Sequence, residues 1–217
     1  MNEHELLERT LSFLKRELKN TEKGHDYWHA LRVWHNAHKI ARVEGGNLRV
    51  IMLAALLHDI ADAKFHNGNE KIGPQKAKLF MQSLNLDPAI IHHVEQIIRH
   101  ISFKNSFEKQ EFNSLELFIV RDADRLDAMG AIGIARTFHF GGYKNNPIFD
   151  PEVPLEPITS KEEYKKYNRS TIHHFYDKLL KLKDLMHTKT AKRMARERHA
   201  FMEAFLKRFF KEWPQEK

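Results

Sequence analysis

Val50-Ile51-Met52-Leu53-Ala54-Ala55-Leu56-Leu57-His58-Asp59 is the stretch on which the reading of this chain turns. Its apolar run is far shorter than the roughly 18 residues that cross a bilayer, and it shows no strand-like alternation. A helix that is apolar nearly all round belongs at the centre of a core. Asn47 can cap its start, Gly45-Gly46 ends whatever precedes it, and the run is predicted to continue to about Asp59. It closes on a His-Asp pair. Charge in such surroundings is costly unless it is paired or coordinates a metal. The chain has a second copy, His25-Asp26, but that one has an ordinary explanation: Asp26 suits the N-cap of a helix running to about Val43. The pair at 58–59 has no such duty.

A divalent ion needs more than two ligands. The chain contains no cysteine, so only His, Asp and Glu can serve. Outward in sequence, His29 falls in the first turn of the helix before. Asp124 falls on an amphipathic helix predicted from Ser114 to about Met129 and capped by Asn113. Two imidazoles and two carboxylates suit Mn²⁺, Fe²⁺, Co²⁺, Ni²⁺ or Zn²⁺, with Mg²⁺ also open, and suit Ca²⁺ poorly because it takes oxygen ligands. Four protein ligands on a six-coordinate ion leave room for water, which such an ion acidifies.

The remainder reads as further helices, with no repeat and no convincing strand, so the fold class is all-α. Leu7, Leu11, Leu14 and Leu18 mark a helix over 3–19. Residues 61–72 read as a loop, with a helix after Gly73-Pro74. Asp87-Pro88 starts another, carried by Ile90, Ile91, Val94, Ile97, Ile98 and Ile101. Gly141 to Pro157 is Pro-rich and reads as a long structured loop. Ser160 to Glu163 has capping-box form. One amphipathic helix is predicted over 169–186 and another over 190–212, with Met194, Phe201, Phe205 and Phe209 as its core stripe. A single domain over 1–217 is expected, with a core at about 20–140 and a helical extension at about 160–213.

The net charge of +7 favours anionic partners: phosphorylated small molecules, nucleic acid or an acidic surface. Basic residues crowd Lys161, Lys165, Lys166 and Arg169, then Lys178 through Arg198. Solvated helix faces are the plainer reading of that crowding, and a nucleic-acid-binding module is the disfavoured rival. No run spans a membrane and the polar, acidic N-terminus is no secretory signal, so a soluble cytoplasmic protein is expected. Ile148, Phe149, Val153 and Leu155 leave two options open, docking on a second copy as a homodimer or packing over the same chain.

The ordered pattern His29, His58-Asp59, Asp124 resembles the HD-domain superfamily of metal-dependent phosphohydrolases. The segments Gly24 to Trp34, Leu56 to Phe65, Arg121 to Arg136 and Ile172 to Leu180 are similar to its bacterial YpgQ/YedJ-like branch. The resemblance implies an all-helical HD bundle holding one metal on His29, His58, Asp59 and Asp124. It also implies hydrolysis of a nucleoside triphosphate to the monophosphate and pyrophosphate. A nucleotide phosphomonoesterase or phosphodiesterase would use the same ligands. Asp62 lies one helical turn past Asp59, and these two are the catalytic candidates, Asp62 to orient the attacking water or protonate the leaving group. Lys64, His66, Lys71, His100, Arg32, Arg125 and Lys178 are candidate phosphate contacts, with His174 beside them. Asp127, one turn beyond Asp124, is a candidate to orient a ligand histidine.

Overall fold

The computed structural model describes residues 1–19, 26–60, 71–101, 112–155 and 170–214. Among them every regular element is helical. The chain divides into two compact units, Met1–Asp124 and Arg125–Lys217. The division falls inside one helix, well ahead of the Pro-rich stretch read as a long loop.

In the first unit α1 (Glu3–Glu17) starts at Asn2, whose side chain accepts from the Glu5 amide at 2.8 Å. Next, α2 spans Tyr27–Glu44 and ends at Gly45 (φ +87°), with Gly46 also left-handed at +96°. A side chain is rarely tolerated at two such positions in succession, so the pair forces a sharp reversal. Asn47 then caps α3 (Leu48–Leu57), its side-chain oxygen accepting from the amides of Arg49 at 3.1 Å and Val50 at 3.2 Å. Every residue of α3 from Val50 to Leu57 is buried, as its pattern predicts, and α3 packs against α1, α2 and α5. Burial of this many aliphatic side chains, at about 1.5–3 kcal/mol each, makes α3 the axis of the unit. The helix stops at Leu57, two residues before the predicted end, so His58 and Asp59 stand just beyond it.

Two further helices, α4 (Ile72–Ser83) and α5 (Pro88–His100), pack on each other. Gly73 and Pro74 lie inside the first turn of α4 rather than ahead of it, a position where proline loses no helical hydrogen bond. Asp87 caps α5 at the Ala89 amide, 2.7 Å away. Finally, α6 (Leu115–Asp127) carries the chain from the first unit into the second. Its cap is Ser114, whose hydroxyl accepts from the Leu117 amide at 3.0 Å, which corrects the assignment of that role to Asn113 by one residue. Both types cap well, and spacing alone does not choose between neighbours.

The second unit departs further from the sequence reading. A helix absent from that reading, α7, spans Gly130–Tyr143. Gly130, Gly133, Gly141 and Gly142 depress its local helix propensity. Two of these glycines serve close packing. A Cβ on Gly133 would stand 2.3 Å from the Ala128 carbonyl oxygen, and one on Gly141 would stand 2.1 Å from the Thr171 hydroxyl. Asn145, at φ +55°, then turns the chain out of the helix while the Asn146 amide reaches back to the Gly141 carbonyl at 2.9 Å.

The single helix expected over 169–186 is instead two short pieces. These are α8 (His173–Asp177) and a 3-10 segment (Leu179–Leu185), split at Lys178 (φ −137°, ψ −57°). The 3-10 geometry repeats every three residues, which places Leu179 and Leu182 on one buried face. Helix α9 (Lys189–Glu212) is capped by Thr188 and packs on α7 and the 3-10 segment. Its buried stripe is Ala191, Ala195, His199, Met202 and Leu206. The predicted stripe is therefore rotated from the true one: Phe201 is 53% exposed, whereas Phe205 and Phe209 sit in an aromatic cluster with Phe138, Phe149, Phe175, Phe210 and Trp213. Phe149 thus packs over its own chain, while Ile148 is exposed. The expected capping box at Ser160 to Glu163 lies outside the described residues.

One pH effect arises in this unit. Burial pushes the His174 imidazole down to about 4, with the Lys178 charge acting in the same direction and Asp177 against it. In the unfolded chain this histidine takes up its proton near the ordinary value of about 6.5. Below that pH the unfolded state binds the proton and the folded state does not. Stability is therefore expected to fall as pH drops from about 6.5 toward 4. His174→Gln should flatten that part of a pH series of melting temperatures.

Candidate metal centre

The first unit brings four predicted side chains together. Asp26 is the device that sets His29: its carboxylate accepts from the His29 amide at 2.9 Å and fixes the first turn of α2. His58 is set by the end of α3. Its Nδ1 lies 2.9 Å from the Ala55 carbonyl oxygen. A carbonyl only accepts, so Nδ1 carries the hydrogen and Nε2 presents a lone pair. The same bond satisfies one of the carbonyls that every helix C-terminus leaves over.

Nε2 of His58 stands 3.3 Å from Nε2 of His29. Oδ2 of Asp59 is 3.6 Å from each of these nitrogens. Oδ1 of Asp124 is 3.5 Å from His29 Nε2 and 3.8 Å from His58 Nε2. Donors bonded at about 2.0–2.2 Å to one ion lie roughly 3–3.5 Å apart when adjacent. The spacing here is that of such a shell, opened by a few tenths of an ångström. His29, His58 and Asp59 form a group in which every donor atom lies within 4.8 Å of every other, and Asp124 approaches that group through the two histidine nitrogens. Two imidazole nitrogens and two carboxylates drawn this close together are a donor set whose chemistry fits a divalent ion.

The wall is asymmetric. The side chains of His29 and His58 are 1% and 3% exposed, whereas those of Asp59 and Asp124 are 25% and 40% exposed. The imidazoles form the dry floor, and the carboxylates are the more exposed side.

The other predicted residues are distributed as follows. Arg32 is half-buried on α2, one turn beyond His29, and Lys71 is exposed at the start of α4. Asp62, Lys64 and His66 lie outside the described residues. His100, at the end of α5, donates from Nδ1 to the Gln96 carbonyl at 2.8 Å and leans on Phe112, so Nε2 is its acceptor nitrogen. Its own carbonyl receives the Arg121 guanidinium. Arg121 is buried and ties the end of α5 to α6; the sequence reading passed over it, although an arginine directly after Phe118-Ile119-Val120 is a visible signal.

Three candidates belong to the second unit. Arg125 is buried, and its guanidinium donates to the Leu185 carbonyl. Asp127 is 1% exposed and pairs with Arg136 at 2.7 Å. Lys178 is exposed, next to half-buried His174.

Known proteins resemble this chain over most of its length. Residues 27–129 match the HD domain family, a span that contains all four converging side chains. The chain is 34% identical to the uncharacterized protein YpgQ of Bacillus subtilis, over 99% of its own length and 97% of that protein's. Its fold is similar to that of an HD-superfamily hydrolase from Bacillus thuringiensis, with a TM-score of 0.78, 40% identity and 98% coverage of both chains. It is also similar to Bacillus subtilis YpgQ in complex with ADP, with a TM-score of 0.76, 30% identity and coverage of 96% and 98%. With the helical fold, the His-Asp pair at the end of its central helix and full-length relatives, the chain belongs to the HD superfamily of hydrolases, in the branch that includes YpgQ.

Proposed function

We propose that this hydrolase cleaves nucleoside triphosphates to monophosphate and pyrophosphate, using one divalent transition metal held by His29, His58, Asp59 and Asp124. The observation that carries the reading is the convergence of these four donors within 3.3–3.8 Å of the two histidine nitrogens. ADP in the related YpgQ supports a nucleotide as the ligand class.

When bound, the ion lowers the pKa of a water to near neutrality and draws charge from a phosphate oxygen. The chain's own residues supply the rest. The Ala55 carbonyl locks the His58 tautomer so that no proton competes for Nε2. The buried imidazoles exclude bulk water from one side, and the two exposed carboxylates leave the other side open. Asp59, half on that open side, can accept a proton from the attacking water, and Asp62 is assigned to orient that water or to protonate the leaving oxygen. Arg32 and Lys71 in the first unit, with Lys64, His66 and His100, are assigned to steady the phosphate charge that spreads in an in-line displacement.

The test is a matrix of metals (Mn²⁺, Co²⁺, Ni²⁺, Fe²⁺, Zn²⁺, Mg²⁺) against nucleoside tri-, di- and monophosphates, with pyrophosphate and orthophosphate measured separately. The expected result is pyrophosphate and monophosphate in equal amounts, with turnover lost on chelation. Orthophosphate alone would replace this reading with a phosphomonoesterase, and turnover that persists in metal-free protein would reject the metal mechanism.

A further inference from the structure

The basic crowding of the C-terminal third takes no part in the proposed chemistry. From Lys178 to Arg198 the chain carries eight Lys or Arg and only two acidic residues, Asp184 and Glu197, a balance of 8 − 2 = +6. In the second unit part of this charge is folded around a cavity of about 490 Å³ lined by Lys183, Asp184, Lys192 and Arg196. The 3-10 segment supplies the first two residues. The other two come from α9, where Lys192 and Arg196 are four residues apart and so share a face.

Three cations and one carboxylate around one hollow leave it two positive charges in excess. Lys192 and Arg196 form no ion pair among the described residues. Like charges set one turn apart on a helix oppose each other, so an arrangement of this kind is relieved by an anion in the hollow. Lys183 is additionally held in place. Its ammonium nitrogen lies 3.0 Å from Nε2 of the buried His199, a nitrogen that is also 3.1 Å from the Glu203 carboxylate. A lysine fixed by a buried partner has already given up part of the rotamer entropy that a ligand would otherwise have to quench. Lys192 also closes the first turn of a 24-residue helix whose N-terminal end carries partial positive charge.

We propose that this hollow is a second anion site, which takes the phosphate groups of a small phosphorylated molecule. None of its residues is a candidate metal ligand, so it needs no ion. Guanidinium and ammonium groups together suit a diphosphate, Arg196 giving paired donors and the lysines point charges. The volume is ample for a diphosphate group, whereas a duplex or a long single strand would call for a basic track extending well past one hollow.

The experiment is calorimetric titration of pyrophosphate into protein stripped of metal on a chelating resin, at low salt. Comparison variants are Lys192→Ala with Arg196→Ala, the metal-ligand variant His58→Ala, and Lys207→Ala as an exposed control on the same helix. Alanine at exposed helical positions preserves the fold, which the melting temperature and circular dichroism would check. The expected result is saturable binding, about one pyrophosphate per chain, retained in His58→Ala and Lys207→Ala. In the Lys192→Ala, Arg196→Ala pair it is expected to weaken at least about tenfold, and in the parent protein it should weaken with added salt. No binding by the metal-free parent, or equal binding by the folded pair variant, would overturn the proposal. So would a nucleic-acid oligomer that binds through these residues while pyrophosphate does not.

Discussion

Replacing His58 by alanine is expected to reduce nucleotide hydrolysis by at least about a thousandfold while leaving the fold in place. The argument begins with position. His58 stands just past α3, and its ring spans two jobs: Nδ1 closes the Ala55 carbonyl and Nε2 points at the other three donors. Alanine removes one donor from a set of four and opens the dry side of the site to water. Changes to groups that merely orient ligands reduce metal affinity or activity by about 10–100-fold, and removal of a ligand itself goes further. The structural loss is small by comparison. One helix-end carbonyl loses a partner, an effect of about 1 kcal/mol. Activity and melting temperature should therefore separate: turnover falls to background, whereas the melting temperature of the metal-free protein moves by only a few degrees. A variant that keeps more than a tenth of the parental rate would show that His58 holds no essential ion.

The second large effect concerns stability. Gly133→Ala would normally raise the stability of a helix by roughly 1 kcal/mol. Here the sign reverses. Gly133 lies in the first turn of α7, and the preceding turn folds back so closely that an added Cβ would meet the carbonyl oxygen and carbon of Ala128 at 2.3 and 2.4 Å. Both are backbone atoms, so no side chain can swing aside. The turn over Ala128 and Met129 must open, although hydrogen bonds from their amides to Arg125 and Leu126 hold it. Forcing a methyl group into a packed site costs typically about 1–3 kcal/mol. With the lost turn geometry, Gly133→Ala is expected to lower stability by about 3 kcal/mol, or roughly 6–12 °C in melting temperature for a chain of this size. Thermal unfolding measures it, and a melting temperature equal to or above the parent's would contradict the packing described here.

These two cases show what the sequence made legible. Local chemistry was readable wherever one residue type had one use. Asn47, Asp87 and Asp26 are all caps as predicted, because a short polar side chain before an apolar run has few alternatives. Helix α3 was readable because eight apolar residues in succession admit only burial. The four converging donors were drawn from three distant stretches by their resemblance to a known family, and spacing along the chain could not have assembled them.

The misreadings have physical causes. Helix α7 was hidden by its glycines, whose role is a close approach to Ala128 and Thr171 that exists only in three dimensions. The break at Lys178 was hidden because the spacing of Leu179, Leu182 and Leu185 fits a helix of either pitch over so short a run. On α9 the aromatic residues suggested one buried stripe while smaller residues, Ala191 and Ala195 among them, occupy the true one. Large side chains advertise burial, but close helix contact selects small ones.

The central claim is that His29, His58, Asp59 and Asp124 share one cation. Its most direct measurement is a crystal of the protein grown with Mn²⁺, with diffraction collected where manganese scatters anomalously. The account predicts a single strong anomalous peak within about 2.0–2.3 Å of both histidine Nε2 atoms and of one oxygen from each aspartate. A map with no peak there at saturating Mn²⁺, or with the ion bound elsewhere while these four side chains stand apart, would contradict it.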